Sequence, residues 1–191
     1  MIILIHLNKK MLTLDTPYPT LVHNDYIIDP SIMDKLTTDN KINTYWGQTV
    51  NEKRNVVYYS YEDDFNVYHR FIKETTSMFL DLHGFKHNKE KWYMDVIRYS
   101  LNNDVKGVES GLAWHCENDN YLEVITVLMY LHIDEGIHEG NLRYKDKNGN
   151  KLIINVRSGT TVIMDGNVQH KPQDPYGTGK RDLIIMSFMK E

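Results

Sequence analysis

The stretch Tyr121–Met164, "YLEVITVLMYLHIDEGIHEGNLRYKDKNGNKLIINVRSGTTVIM", decides the fold class. It is a succession of short runs rich in Val, Ile, Leu and Tyr, parted by Gly, Asn and Asp. No apolar repeat at helical spacing interrupts it, so the runs read as strands. Within it, "KNGN" at Lys147–Asn150 is a hairpin turn, because Asn-Gly accepts the positive φ that such turns demand. The pattern extends outward on both sides. "WYMDVIRY" (Trp92–Tyr99) and "GLAWHCE" (Gly111–Glu117) precede it; "VQHK" (Val168–Lys171) and "DLIIMSFM" (Asp182–Met189) follow. Eight short strands without helical crossovers predict an antiparallel sandwich, and the double-sheet jelly roll, or double-stranded β-helix, is its natural eight-strand form.

The first half reads differently. A short strand is expected around Leu21–Ile28, and "DPSIMDKL" opens a helix with Asp29 as cap and Pro30 in the first turn. Residues 40–60 are polar with a β-rich end, "NVVYYS". The strongest helix signal covers 64–82, where Val67, Phe71, Ile72, Thr75, Met78, Phe79 and Leu82 recur at helical spacing as one apolar face. Gly84 ends it. The expected architecture is therefore mainly β with flanking α. Residues 1–191 form a single domain, with a helical and extended support region over about 1–90 and the jelly-roll core over about 91–191.

Composition narrows the function classes. With 191 residues, 41% hydrophobic and 25% charged, the chain is ordinary for a soluble globular protein with a real core. A net charge of −4 disfavours a general nucleic-acid binder. The single cysteine, Cys116, rules out an intrachain disulfide and reads as a small packing residue. The start, "MIILIHLNKKM", has too short an apolar run for a membrane span and lacks the features of a signal peptide, so a cytoplasmic or otherwise intracellular location without membrane attachment is expected. Translation could begin at Met1 or Met11.

Chemistry concentrates in "WHCEND", Trp114–Asp119. Alternate residues of a strand share a face, so His115 and Glu117 point together and Cys116 points away. An imidazole and a carboxylate on one face offer two ligands to a divalent ion. His170, in "DGNVQHKP", supplies a third after four further β-rich runs, the interval that a jelly roll needs before its chain returns beside an early strand. Two histidines and one carboxylate make a facial triad, leaving three positions open for water, a cosubstrate and dioxygen. Arg181 opens the final run. Its planar fork suits bidentate capture of a carboxylate, and an arginine entering a buried strand needs an anionic partner. A rival pair, His132-x-Asp134, lies where a strand turns into a loop and too close to His170; it reads as solvated loop, as do His138 and Glu139.

Taken in order, "HCE", "LMYLHIDEGIHEGNLRY", "GTTVIMDGNVQH" and "GTGKRDLIIMSF" resemble the Fe(II)/2-oxoglutarate-dependent oxygenases, most closely the prolyl-hydroxylase-like branch, over roughly the last hundred residues. The resemblance implies that His115, Glu117 and His170 bind Fe(II) and that Arg181 pairs with the distal carboxylate of 2-oxoglutarate. It also implies that Tyr130 hydrogen-bonds that carboxylate and that Tyr99 faces the cosubstrate. O2 is the implied oxidant and ascorbate a possible addition. The implied partner is a protein or peptide substrate hydroxylated on a prolyl-type side chain, with a small molecule as the alternative and nucleic acid third. The chain departs from the family in three places. Glu117 stands where Asp is usual, Glu139 where a first glycine is frequent, and Ser100–Leu112 is longer than expected. That loop is a candidate closure over substrate. Lys180 is an alternative to Arg181, which matches the family's G-x-R spacing after Gly179. Two further readings stay open: a cupin-like metalloprotein that does not use 2-oxoglutarate, and a non-catalytic jelly roll.

Overall fold

The computed structural model describes residues 11–37, 43–46, 53–60, 67–103, 113–118 and 123–191. Strands are β1 (Leu12–Thr13), β2 (Thr20–Asn24), β3 (Asn43–Trp46), β4 (Lys53–Ser60), β5 (Trp92–Asn103), β6 (Val124–Ile133), β7 (Ile137–Glu139), β8 (Leu142–Lys145), β9 (Lys151–Ile154), β10 (Thr160–Asp165), β11 (His170–Pro172) and β12 (Pro175–Met189). Helix α1 spans Ile32–Thr37 and α2 Val67–Leu82. The large sheet runs β1-β2-β10-β6-β12-β5-β4-β3, with β7 added to β12, and a small sheet runs β11-β8-β9. Every pairing is antiparallel. This is the expected jelly roll, extended by β3 and β4 at one edge.

Two apolar layers hold it together. On the outer face of the large sheet, Met94, Val96, Val127, Met129, Ile163, Ile184, Met186 and Phe188 pack against Met33 and Leu36 of α1 and Ile72, Phe79 and Leu80 of α2. On the inner face, Val22, Leu128, Tyr130, Val162, Met164 and Leu183 meet Leu142, Tyr144 and Ile154 of the small sheet. Strand β6 is buried on both faces over its first eight residues, which explains its unbroken apolar run. The helices thus cover one sheet, as the sequence suggests.

Local signals hold at the caps and turns. The Asp29 carboxylate accepts from the Ser31 amide at 2.9 Å, capping α1. In the β8–β9 hairpin, Asp146 accepts from the Asn148 and Asn150 amides at 2.8 Å each, and Gly149 takes a φ of 81°. The apolar face of α2 needs correction. Val67, Met78 and Leu82 are exposed, while His69, Thr76, Ser77 and Leu80 are buried beside Ile72, Thr75 and Phe79. The helix is turned so that small and hydroxyl-bearing residues approach the sheet, a choice that close packing makes and hydropathy does not record. The strand expected over Leu21–Ile28 ends at Asn24, and the final strand starts at Pro175 rather than Asp182, so Arg181 lies inside it. The expected closure loop is only partly visible: Ser100–Asn103 continue β5, and 104–112 lie outside the described residues, as do 1–10 with the alternative start. Among the described residues no helix is long and apolar enough to cross a membrane.

One ion pair ties α1 to the large sheet. Arg98 of β5 grips Asp182 of β12 with both ends of its fork, Nε to Oδ1 at 2.8 Å and Nη2 to Oδ2 at 2.9 Å, and also reaches Asp34 of α1 at 3.0 Å. The Asp182 side chain is only 6% exposed. Arg98→Ala leaves that carboxylate buried and uncompensated, and stability in urea denaturation should fall by about 3 kcal/mol. Adding Asp182→Leu should recover much of that loss, because the cost is the orphaned charge.

Candidate metal centre

Backbone geometry builds the centre. His115 and His170 exchange both of their main-chain hydrogen bonds, each 3.0 Å, as a lone antiparallel bridge. Two residues on, the amides of Glu117 and Asn118 both donate to the Gly166 carbonyl, at 2.9 and 3.1 Å. Two amides converging on one oxygen bend the chain, so 113–118 is not the regular strand expected from "GLAWHCE". The alternation survives the bend. His115 and Glu117 face His170, and the Cys116 sulfur turns toward the Asn167 carbonyl at 3.4 Å. Burial pushes the Cys116 thiol up, which suits a packing residue rather than a nucleophile.

The three ligand atoms lie within 4.8 Å of one another. The Glu117 Oε1 is 3.2 Å from His170 Nε2 and 3.5 Å from His115 Nε2. Neighbouring ligands of an octahedral ion at about 2.1 Å are separated by about 3.0 Å, so these spacings fit one face of such an ion. Each imidazole is held by its other nitrogen. His115 Nδ1 donates to the Ala113 carbonyl and His170 Nδ1 to the Val168 carbonyl, both at 3.0 Å. A carbonyl can only accept, so Nδ1 of each ring keeps a proton, and a metal that displaces the Nε2 protons facing Glu117 would find both Nε2 lone pairs directed at it. His170 is 2% exposed, and the two rings lie tilted with centroids 4.3 Å apart.

Charge is uneven around the triad. Hydrogen bonding to His115, then to His170, holds the Glu117 carboxyl down at about 2. The same contact raises His115. On the neighbouring inner face of β5, burial and then the charge of Glu117 push Asp95 up to about 6.

Arg181 lies on the same inner face of the large sheet, opposite Tyr99 in the β12–β5 register. The β12–β6 register shifts between Asp182 and Leu183, which skips Leu131 and sets Tyr130 opposite Leu183. The guanidinium is sandwiched, with its carbon 5.1 Å from the Tyr130 ring and 5.5 Å from the Tyr99 ring. It is 3% exposed. Its Nη2 donates to the Gly140 carbonyl at 2.8 Å, while Nε is buried without a partner. No carboxylate of the described residues pairs with it. A buried cation with an unused donor is a place for an incoming anion. Lys180, by contrast, is exposed and offers only its amide, to Asp134 at 2.6 Å.

The structure therefore brings His115, Glu117 and His170 together, and separately Arg181, Tyr130 and Tyr99. His132 and Asp134 pair with each other at 2.7 Å on the exposed side, away from the triad. His138 and Glu139 are exposed, and Glu139 takes a φ of 58°, a strained value where the departure from glycine was visible. Sequence reasoning missed Gly140, Gly166 and Asp95. Gly140, at φ 73°, packs where any Cβ would strike the Arg181 guanidinium. Its signal was the glycine pair interrupted by Glu139.

No family model matches the chain, and no curated protein matches it. Solved structures do. A prolyl-4-hydroxylase of Pseudomonas putida aligns over 92% of this chain and 94% of its own, with a TM-score of 0.59 and 8% identity. A prolyl hydroxylase of Trichoplax adhaerens, solved with a hypoxia-inducible-factor peptide, aligns over 90% and 83%, with a TM-score of 0.62 and 12% identity. SnoK, a non-heme α-ketoglutarate-dependent carbocyclase of nogalamycin biosynthesis, aligns over 92% and 80%, with a TM-score of 0.61 and 9% identity. The chain has the double-stranded β-helix fold of these 2-oxoglutarate/iron oxygenases.

Metal binding should be pH-dependent in a definite direction. A metal displaces the proton from each ligating imidazole. Because Glu117 raises His115, competition sets in already above its ordinary 6.5. Mn(II) affinity followed by calorimetry should therefore fall as pH drops through that value, and Glu117→Gln should weaken binding while moving the fall to lower pH.

Proposed function

We propose that this protein is an Fe(II)- and 2-oxoglutarate-dependent dioxygenase that hydroxylates a peptidyl side chain of prolyl type. The observation that carries the reading is the presence of two unsatisfied centres: the buried Arg181 guanidinium on the inner face of the large sheet, with its unpartnered Nε, and the clustered Nε2, Nε2 and Oε1 atoms of His115, His170 and Glu117. One is a site for a carboxylate and the other for a divalent ion, the two ends that a keto-diacid cosubstrate would bridge.

His115, Glu117 and His170 would hold the iron on one face, with the Ala113 and Val168 carbonyls fixing the imidazole tautomers. Arg181 would take the distal carboxylate through its fork. Tyr130 would donate its phenol to the same group; burial keeps that phenol protonated at neutral pH. Tyr99 would close the other side of the guanidinium and exclude water from it. Leu128, Val162 and Leu183 keep the floor dry, which strengthens each charged contact. When bound, iron with 2-oxoglutarate and O2 supplies the oxidising power that places a hydroxyl on a C–H bond.

Two prolyl hydroxylases among the structural neighbours, one holding a peptide, support a peptidyl substrate. The carbocyclase of nogalamycin biosynthesis keeps a small molecule as the alternative on the same chemistry.

The test is an anaerobic titration with Fe(II) and then 2-oxoglutarate, followed by the visible charge-transfer absorption of the chelate. The band should form. Arg181→Ala should weaken 2-oxoglutarate on the order of a hundredfold while leaving Fe(II) affinity nearly unchanged. His170→Ala should abolish both. Fe(II) binding without a band would favour a cupin-like metalloprotein, and no Fe(II) binding would favour a non-catalytic jelly roll. Gly140→Ala, which crowds the guanidinium from behind, should weaken 2-oxoglutarate without touching the metal.

A further inference from the structure

Alternation along β5 assigns Asp95 to the inner face. Trp92, Met94 and Val96 belong to the layer under the helices, and Ile97 packs with the inner layer. Asp95 therefore shares its face with Ile97 and Tyr99. It stands opposite Ile185 of β12, which stands opposite Leu128 of β6, a row of apolar neighbours. The side chain is half-buried, yet no hydrogen bond or ion pair to any described residue satisfies its carboxylate. Other buried or half-buried acids among the described residues are engaged: Asp182 by Arg98, Asp146 by its hairpin amides, Asp165 by Lys190, Asp134 by His132, and Glu117 by two imidazoles.

Position separates Asp95 from the cosubstrate anchor. Tyr99 lies four residues further along the strand, about 13 Å away. Tyr99 marks the Arg181 end. Glu117 hangs from the Gly166 carbonyl, the Gly166 amide donates to Val124 at the start of β6, and the β12 registers set that end of β6 level with Phe188 and Trp92, so Asp95 is displaced from Tyr99 toward the triad end. An acid without a partner costs stability wherever burial removes water from it. Such a cost is retained where a ligand supplies the missing partner.

We propose that Asp95 is a specificity-determining residue that receives a cationic group of the substrate, an ammonium or guanidinium, beside the carbon to be oxidised. The proposal rests on the oxygenase reading above and refines its substrate class. The cation comes either from a basic side chain next to the target in a peptide or from the amine of a free amino acid. Both place a charge-assisted hydrogen bond on Asp95.

The test uses the full chain and two matched pairs of probes, titrated by calorimetry under anaerobic conditions with Mn(II) and 2-oxoglutarate present. The peptide pair is N-acetyl-prolyl-lysine amide against N-acetyl-prolyl-norleucine amide. The free pair is L-proline against tetrahydrofuran-2-carboxylate, its ring-oxygen counterpart. In one pair the cationic member should bind about tenfold tighter or more, and Asp95→Asn should shrink that preference to within about twofold. Which pair discriminates identifies the source of the cation. Asp95→Asn should also hold or raise the thermal midpoint, since it removes an unpaired buried charge; a merely structural acid would lower it. Asp95→Leu gives a second variant for the same comparison. The proposal fails if neither pair discriminates, or if the preference survives Asp95→Asn. Binding of Mn(II) and 2-oxoglutarate is read first and separately, and the probe pairs are repeated on metal-free protein, so failure of the oxygenase reading shows as a missing first step.

Discussion

Everything at the centre depends on one pair of main-chain hydrogen bonds, between His115 and His170. Each residue donates its amide to the other's carbonyl, and this fixes two distant segments at a single point. The side chains then have little freedom. Each imidazole is tethered by Nδ1 to a carbonyl two residues earlier in its own segment, and Glu117 is set by an amide bond to Gly166. Ligand placement is thus a backbone property, which is how a weakly structured segment can carry a precise site.

The large sheet does the complementary work. Its inner face is largely apolar, with the Thr126 and Ser187 hydroxyls bonded to each other, and its charged positions among the described side chains are Arg181 toward one end and Asp95 toward the other. Both are groups whose burial is unfavourable without a counter-charge. The contrast with Arg98 and Asp182 on the opposite face is instructive. There the same residue types are fully paired, tie α1 to the sheet, and have no capacity left for a ligand. Pairing marks structure, and its absence marks a site awaiting a partner.

Much of the fold was legible in the sequence because β-rich runs and turn chemistry are local properties. The "KNGN" hairpin, the Asp29 cap and the order of the last eight runs all follow from neighbours in the chain. So did the membership of the triad, since His-x-Glu on alternating residues survives a bend that abolishes the strand. The rotation of α2 did not, because Val67, Met78 and Leu82 are apolar yet face outward, while His69, Thr76 and Ser77 are polar yet fit the space against the sheet. Hydropathy records transfer preference; packing also records shape.

The sequence by itself determined which elements form, in what order, and which side chains are chemically able to bind a metal and a carboxylate. Tertiary structure alone decided which of those side chains face each other. Arg181 rather than Lys180 turns inward because the parity of β12 puts them on opposite faces. His132 and Asp134 are spent on each other and on the Lys180 amide. Asp95 acquires its character from the apolar row on its β12 side and from Glu117 nearby. The reason is common to all three: an ionisable group's properties are set by burial and by charges brought close through space, and neither is a function of spacing along the chain.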